Sequence, residues 1–172
     1  MNALDLDGTA VRKVLVVGIG NPDRCDDGIG AAVLERLAGR LPADVRTLAR
    51  RGDMLALLDD CAGADALVCV DATAPMGMPG QIRRIDAIAE TVPRDASFAS
   101  SHALGLGEAI ELARTLGTAP PAMVVYAVEG ACFDDGMGLS PLVARAIEEV
   151  ADRVVADVAR LRRGPASPAP EA

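Results

Sequence analysis

Residues 14–20 read VLVVGIG, an uninterrupted apolar run of strand length that is rich in β-branched side chains. A run without polar alternation is typical of a strand that is buried on both faces of a sheet. A loop follows it, and apolar residues then recur every four positions, as on one face of a helix: Ile29, Val33, Leu37 and Leu41. This stretch predicts a strand and a helix of an α/β fold.

The same alternation of strand and helix continues along the chain. We predict strands over Val45 to Ala49, Leu67 to Asp71, Gln81 to Ile85 and Met123 to Val128. We predict helices from Asp53, as N-cap, to Cys61, from about Ser100 or Ser101 to Leu116, and from Pro141 to about Arg162. Strands separated by helix-length segments imply right-handed crossovers. The predicted fold is α/β, a single three-layer domain with a mostly parallel twisted sheet and helices on both faces.

The two ends of the chain differ in composition from its middle. Residues 1–12 are expected to form a flexible leader, and residues 164–172, GPASPAPEA, a disordered tail rich in proline and small residues. The α/β domain is expected to span residues 13–163. With 172 residues in all, the chain can bury a core without disulfides or a structural metal.

Charge and composition disfavour several classes of partner. The formal net charge is -8, and an acidic surface repels the phosphates of nucleic acids. Only Phe98, Tyr126 and Phe133 could stack on bases. No apolar run approaches the length of a membrane span, and Asp5 and Asp7 occupy the place of a signal-peptide core. We therefore expect a cytoplasmic protein that binds neither nucleic acid nor membrane.

The four cysteines, Cys25, Cys61, Cys69 and Cys132, form no C-x-x-C pair, so the sequence contains neither a zinc knuckle nor a thioredoxin-type motif. Cys69 lies in a strand pattern and is interpreted as a small buried apolar residue. Cys25 stands beside two aspartates in a predicted loop. Its role is left open by the sequence.

Polar residues follow the predicted parallel strands, where α/β folds bind their ligands. They are Asn21, Asp26, Asp27, Asp71 and Glu129. The only histidine, His102, is predicted near a helix N-terminus, where the helix dipole favours the neutral, metal-binding imidazole.

Asp27, Asp71 and His102 together would suit Zn²⁺ or Ni²⁺. In the alternative interpretation, Asp27 caps the next helix, Asp71 accepts hydrogen bonds from a turn, and His102 only begins a helix.

Glycines near these residues add two observations. Gly18 and Gly20 suggest a dinucleotide-binding loop, but Asp23 occupies the third glycine position and would repel a pyrophosphate. Gly105 and Gly107 are predicted within the first turns of the helix after His102, where glycine is unfavourable. Their presence indicates either a close approach of another backbone or tight packing on the sheet.

Taken in order, these motifs resemble those of the hydrogenase maturation endopeptidases. The resemblance covers roughly residues 13–160 and rests on the predicted strand near 123–129 and on five motif segments: Gly18–Asn21, Asp26–Gly30, Val70–Ala72, His102–Leu106 and Gly136–Pro141. The segment Ala49–Asp53 departs from the glycine-rich turn of many members, in a loop expected to touch the partner protein. The resemblance therefore leaves the identity of the partner hydrogenase open.

The resemblance implies an enzyme that trims a C-terminal extension from the large-subunit precursor of a [NiFe] hydrogenase. It implies that Asp27, Asp71 and His102 are both the catalytic residues and the metal-contacting residues. The nickel is expected to arrive with the substrate and not to be held tightly by the isolated protein. Cys25 and Glu129 are outside the set of ligands that the resemblance carries over.

Two other functions remain open at this point. A nickel-sensing or chaperone module could use the same three ligands without cutting its partner, and a self-sufficient zinc hydrolase would hold its own metal. For the endopeptidase, either a metal-bound water or a carboxylate acting as general base fits the residues. A monomer is expected, because no large apolar helix face stands out in the sequence.

Overall fold

The computed structural model describes residues 11–90, 92 and 105–164. Five strands occur in chain order: β1 Val14–Ile19, β2 Arg46–Arg50, β3 Ala66–Thr73, β4 Ile82–Asp86 and β5 Ala122–Glu129. A short 3₁₀ turn, Cys25–Gly28, precedes four helices: α1 Ile29–Leu37, α2 Met54–Asp60, α3 Leu106–Leu116 and α4 Pro141–Arg163.

The strands form one sheet in the order β2-β1-β3-β5-β4. Strands β2, β1, β3 and β5 are parallel, and β4 pairs antiparallel with β5 at one edge. The prediction of a mostly parallel sheet is confirmed. Because the parallel strands all end at the same side of the sheet, the loops after β1, β3 and β5 meet there.

Helices cover both faces of the sheet and make the predicted three layers. Alternate residues of the buried strands, such as Val14 and Val16, pack with α1 and α4. The residues between them, such as Leu15 and Val17, pack with α2 and α3. This burial on both faces accounts for the continuous apolar sequence of β1.

The start of α1 lies directly against β1, and two glycines allow this contact. A Cβ atom on Gly18 would lie 2.4 Å from the carbonyl oxygen of Gly30, and one on Gly30 would lie 2.4 Å from the nitrogen of Ile19. Any larger side chain at either position would therefore push the two backbones apart. The close contact fixes where residues 20–28 pass over the end of the sheet.

The predicted N-terminus of α3 is wrong. The helix begins at Leu106, because Gly105 has an extended backbone (φ -82°, ψ 173°) and serves as its N-cap. The carboxylate of Glu108 accepts a hydrogen bond from the Gly105 N–H at 3.0 Å, which closes the cap. Gly105 therefore lies outside the helix, and only Gly107 is helical.

The first helix is also shorter than predicted. It ends at Leu37, because Ala38 leaves the helical region (φ -57°, ψ 125°), and Leu41 packs against the core from the following loop. Residues 1–10 and 165–172, which hold most of the predicted leader and tail, lie outside the described residues. None of the helices in the described part of the chain is long and apolar enough to span a membrane.

Candidate active site

The predicted site lies where the parallel strands end. Asp71, near the end of β3, stands beside Ala127 of β5 and, by alternation along the strand, faces the layer of α2 and α3. Asp27 lies in the 3₁₀ turn after β1. The two carboxylates are close enough for the charge of Asp27 to act on Asp71. The structure therefore brings together two of the three predicted site residues.

The carboxylate of Asp71 is buried and only half satisfied. Oδ1 accepts a hydrogen bond from the N–H of Ala72 at 2.8 Å, whereas Oδ2 has no hydrogen-bond partner among the described residues. Burial and the charge of Asp27 raise the pKa of Asp71 to about 7. A buried oxygen without a partner is costly unless a ligand or a cation binds it.

Asp27 is oriented by the loop that precedes it. Its Oδ2 accepts a hydrogen bond from the N–H of Asn21 at 2.8 Å, and its side chain is 3% exposed. The N-cap of α1 is Gly28, without a side-chain cap, so the alternative in which Asp27 caps the helix is wrong. Gly20 (φ 115°) is required here, because a Cβ would lie 1.9 Å from the Asp27 carbonyl oxygen.

The neighbouring carboxylate, Asp26, has a different environment. It is fully buried and accepts four hydrogen bonds from segments that are distant in the sequence. The donors are the N–H groups of Ala131 (2.8 Å), Cys132 (3.0 Å) and Ser140 (2.7 Å) and the hydroxyl of Ser140 (2.9 Å). Burial alone raises the pKa of Asp26, but these hydrogen bonds outweigh it and lower the pKa.

Asp26 is therefore a structural anion at the N-terminus of α4, where the helix dipole also favours negative charge. Sequence analysis named Asp26 as a strand-end residue but did not recognise this role. The available signal was the Ser140-Pro141 pair, a helix start that needs an acceptor for its free N–H groups.

Glu129, at the end of β5, holds the loop that follows β3. Its Oε1 accepts hydrogen bonds from the N–H groups of Met76 (2.6 Å) and Met78 (2.7 Å), and its backbone carbonyl accepts one from Gly80 (2.7 Å). Its Oε2 is buried without a partner among the described residues. Glu129 thus orders the loop after β3 at this edge of the sheet and retains one unsatisfied acceptor oxygen.

His102 lies outside the described residues, three positions before the N-cap of α3. That helix leads directly into the parallel strand β5, so its N-terminus lies at the same edge of the sheet as Asp71. Within the part of the chain that the structure describes, no three His, Cys, Asp or Glu side chains are grouped to hold a metal ion. The contribution of His102 to the predicted three-residue site consequently remains a prediction.

The fold and the site together define a small α/β domain that presents buried, partly unsatisfied carboxylates at the carboxyl ends of its parallel strands. The family model for hydrogenase maturation proteases (HycI) matches residues 52–157, more than half of the chain. The chain belongs to the hydrogenase maturation protease family.

Individual relatives agree with this assignment. The chain is 31% identical over 150 residues to the hydrogenase 2 maturation protease of Escherichia coli, covering 84% of this chain and 89% of the relative. It is 33% identical to the hydrogenase expression/formation protein HupD of Rhodobacter capsulatus, covering 79% and 66%. The solved structure of the E. coli hydrogenase maturating endopeptidase HybD has a TM-score of 0.71 at 27% identity, covering 86% of this chain and 93% of that one.

Replacing Asp26 by Asn is expected to lower the free energy of unfolding by about 2–4 kcal/mol at pH 7. An amide has one acceptor oxygen, so at least one of the four donors then faces an NH₂ group. Because the pKa of Asp26 is lowered in the folded protein, its stabilisation is present above the unfolded pKa and is lost as the pH falls through the folded pKa.

Urea unfolding of the wild type and Asp26→Asn at pH 7 and pH 3 tests this prediction. The difference in the free energy of unfolding between the two proteins should be smaller at pH 3 than at pH 7. Asp23→Asn is the matched control, since the Asp23 side chain is exposed and bonded to Arg51. An equal decrease in the free energy of unfolding in Asp26→Asn and Asp23→Asn would contradict the role given to Asp26.

Replacing Asp71 by Asn is expected to stabilise the metal-free protein at pH 8, by on the order of a few kcal/mol. The folded pKa, about 7, lies above the unfolded value, so the wild type loses stability as the pH rises from about 4 to 7. A neutral amide removes that loss. Thermal unfolding of the wild type and Asp71→Asn in a chelating buffer at pH 4.5 and pH 8 tests this expectation. If the difference in Tm between the two proteins were the same at both pH values, the expected burial of charge at Asp71 would be contradicted.

Proposed function

We propose that the protein is an endopeptidase that removes a C-terminal extension from the large-subunit precursor of a [NiFe] hydrogenase and acts on precursor that already holds nickel. The observation that carries the nickel part is the buried Oδ2 of Asp71, which has no partner among the described residues and lies near a second carboxylate, Asp27. A cation delivered to this edge would satisfy that oxygen.

The substrate class is supported by the relatives. One is named a hydrogenase 2 maturation protease, and a protein of similar structure is named a hydrogenase maturating endopeptidase. Because the chain belongs to the same family, we propose that it acts on the same type of substrate. The partner hydrogenase and the cleaved bond stay open, because segment Ala49–Asp53 departs from the usual family pattern at the edge strand.

In this proposal, Asp27, Asp71 and His102 contact the nickel of the bound precursor. Carboxylates and a neutral imidazole suit a borderline divalent ion. Contact with the ion favours the ionised form of Asp71, so the protein holds this charge at low cost only when the loaded precursor is present. This coupling would make the nickel a checkpoint: a precursor without it leaves the two carboxylates facing each other.

Two routes for the attack on the peptide bond fit the residues. In one, the ion polarises the scissile carbonyl or lowers the pKa of the attacking water. In the other, Asp27 or Asp71 takes a proton from the water as a general base. The hydrogen bond from Asn21 fixes the Asp27 carboxylate for either role, because it leaves Oδ1 free of this contact.

We also infer that the protein works in the cytoplasm as a monomer and meets its partner only transiently. Its net charge of -8 disfavours nucleic acids and anionic membrane surfaces. Among the exposed large apolar side chains of the described residues, α2, α3 and α4 contribute only one each, so none of these helices has a broad exposed apolar face: Leu55, Met76, Met78, Ile88, Leu116, Met137 and Leu142.

The proposed activity predicts a nickel-dependent change of mass in a cognate large-subunit precursor. Incubation with this protein should release a C-terminal peptide from nickel-loaded precursor and none, or at least about 100-fold less, from nickel-free precursor. Intact-mass spectrometry measures the change, and precursor already lacking the extension is the control.

Equal processing of loaded and nickel-free precursor would overturn the nickel checkpoint. A stable complex with unchanged mass would instead favour the nickel-sensing or chaperone function. Stoichiometric metal retained by the isolated protein after dialysis would favour the self-sufficient zinc hydrolase.

Variants test the proposed residues in the same assay. Asp27→Asn and His102→Ala are each expected to slow processing by at least about 100-fold, because each removes one contact to the ion. Asp27→Asn keeps an oxygen that can accept from Asn21 and removes the repulsion with Asp71, so its Tm should not fall below that of the wild type. Asp23→Asn, an exposed acid four residues away, is the control and should process normally. Unfolding well below the wild-type temperature would assign the residue a structural role.

A further inference from the structure

Two cysteines meet beside the acidic turn. Cys25 lies at the start of the 3₁₀ turn after β1, and Cys132 lies in the loop after β5. The two residues lie close enough for the Cys132 side chain to raise the pKa of the Cys25 thiol, and both are partly exposed to solvent. The sulfur of Cys132 also lies 3.8 Å from a carboxylate oxygen of Asp134. Two neighbouring cysteines, both partly exposed, form a candidate site outside the ligand set proposed above.

The backbone holds these two residues together independently of the thiols. The N–H of Cys25 donates to the carbonyl of Gly136 at 2.8 Å, and the N–H of Asp26 donates to the carbonyl of Cys132 at 3.0 Å. The N–H of Cys132 in turn donates to the carboxylate of Asp26 at 3.0 Å. The two cysteines are therefore preorganised, and a bond between them requires no large movement of either segment.

Cys25 also has an unusual backbone. Its φ of 45° is the only positive value at a non-glycine residue in the described ranges. Such a conformation costs on the order of 1–3 kcal/mol and persists only where the surroundings impose it. The backbone hydrogen bonds of Cys25 and Asp26 supply that constraint, so the direction of the Cα–Cβ bond of Cys25 is fixed.

The other two cysteines differ in their exposure. Cys61 and Cys69 are buried in the layer between the sheet and α2 and α3. Burial raises the pKa of Cys61 to about 11 and that of Cys69 well above its ordinary value. Because both are buried, a reagent in solution reaches them poorly, and they serve as internal references.

We propose that Cys25 and Cys132 are a redox modification site. Reaction with a low-molecular-weight disulfide, such as oxidised glutathione, joins the two cysteines in a reversible intramolecular disulfide. One cysteine thiolate attacks the glutathione disulfide, forms a mixed disulfide and releases one glutathione. The other cysteine then displaces the second glutathione. The protein loses two thiol hydrogens, which the two released glutathione molecules carry away, and the two electrons reduce the glutathione disulfide.

The new bond would tie the acidic turn that carries Asp26 and Asp27 to the loop of residues 131–136. It closes a loop of about 100 residues in the unfolded chain, which is the range where a disulfide constrains the unfolded state strongly. Because both ends are already held in the native structure, little strain opposes this gain. The inference concerns the reactivity of the folded chain and holds whether or not the protein is a peptidase.

The test uses the full chain in buffers of graded glutathione to glutathione-disulfide ratio, incubated for hours. After alkylation under denaturing conditions, intact mass and peptide mapping count the free thiols. We expect the number of alkylated cysteines to fall from four to two, with a Cys25–Cys132 link and reversal by dithiothreitol. The Tm of the oxidised form should rise by on the order of 5–15 °C.

Matched variants separate this pair from general oxidation. Cys25→Ser and Cys132→Ser should each lose the link and the rise in Tm, whereas Cys61→Ala should still form it. Four alkylated cysteines in the wild type at every ratio would overturn the proposal. So would a link through Cys61 or Cys69, or glutathione adducts that persist at Cys25 without the intramolecular bond.

Discussion

The hydrogen bonds to the Asp26 carboxylate hold together the edge of the sheet on which the site is built. They join the turn after β1 to the loop after β5 and to the N-terminus of α4. The helix end offers N–H groups without partners and the positive end of its dipole, so an ionised carboxylate is the natural occupant. Asp27 and Cys25 flank Asp26 in the chain, and their positions therefore depend on the same contact.

Asp26 and Asp71 are both buried, yet their pKa values shift in opposite directions. Asp26 accepts four hydrogen bonds and is held as an anion, whereas Asp71 accepts one and faces the charge of Asp27. For Asp26 the hydrogen bonds outweigh burial, whereas for Asp71 burial and the charge of Asp27 outweigh its single hydrogen bond. The first carboxylate stabilises the fold, and the second costs stability at neutral pH. A residue that costs stability at a strand end is a strong candidate for function.

The sequence predicted the sheet well, because strands that are buried on both faces carry continuous apolar runs such as residues 14–20. It misplaced the start of α3, because the extended backbone of Gly105 and its bond to Glu108 leave no trace in apolar periodicity. It selected Asp27 through the family resemblance, but it gave Asp26 no role of its own. Adjacent acids look alike in sequence, and their partners, Ser140 and Asn21, come together only in the fold.

The carboxylates at this edge order the loops by accepting from backbone N–H groups. Asp27 binds Asn21, Asp26 binds residues 131–132, and Glu129 binds Met76 and Met78. Two buried oxygens, Asp71 Oδ2 and Glu129 Oε2, have no such partner among the described residues. The edge is thus built by anions and still retains unsatisfied negative acceptors. In the proposed function, the nickel of the substrate supplies the missing positive charge. The acceptor oxygens that are unsatisfied in the free protein would therefore favour binding of the nickel-loaded precursor over the nickel-free one.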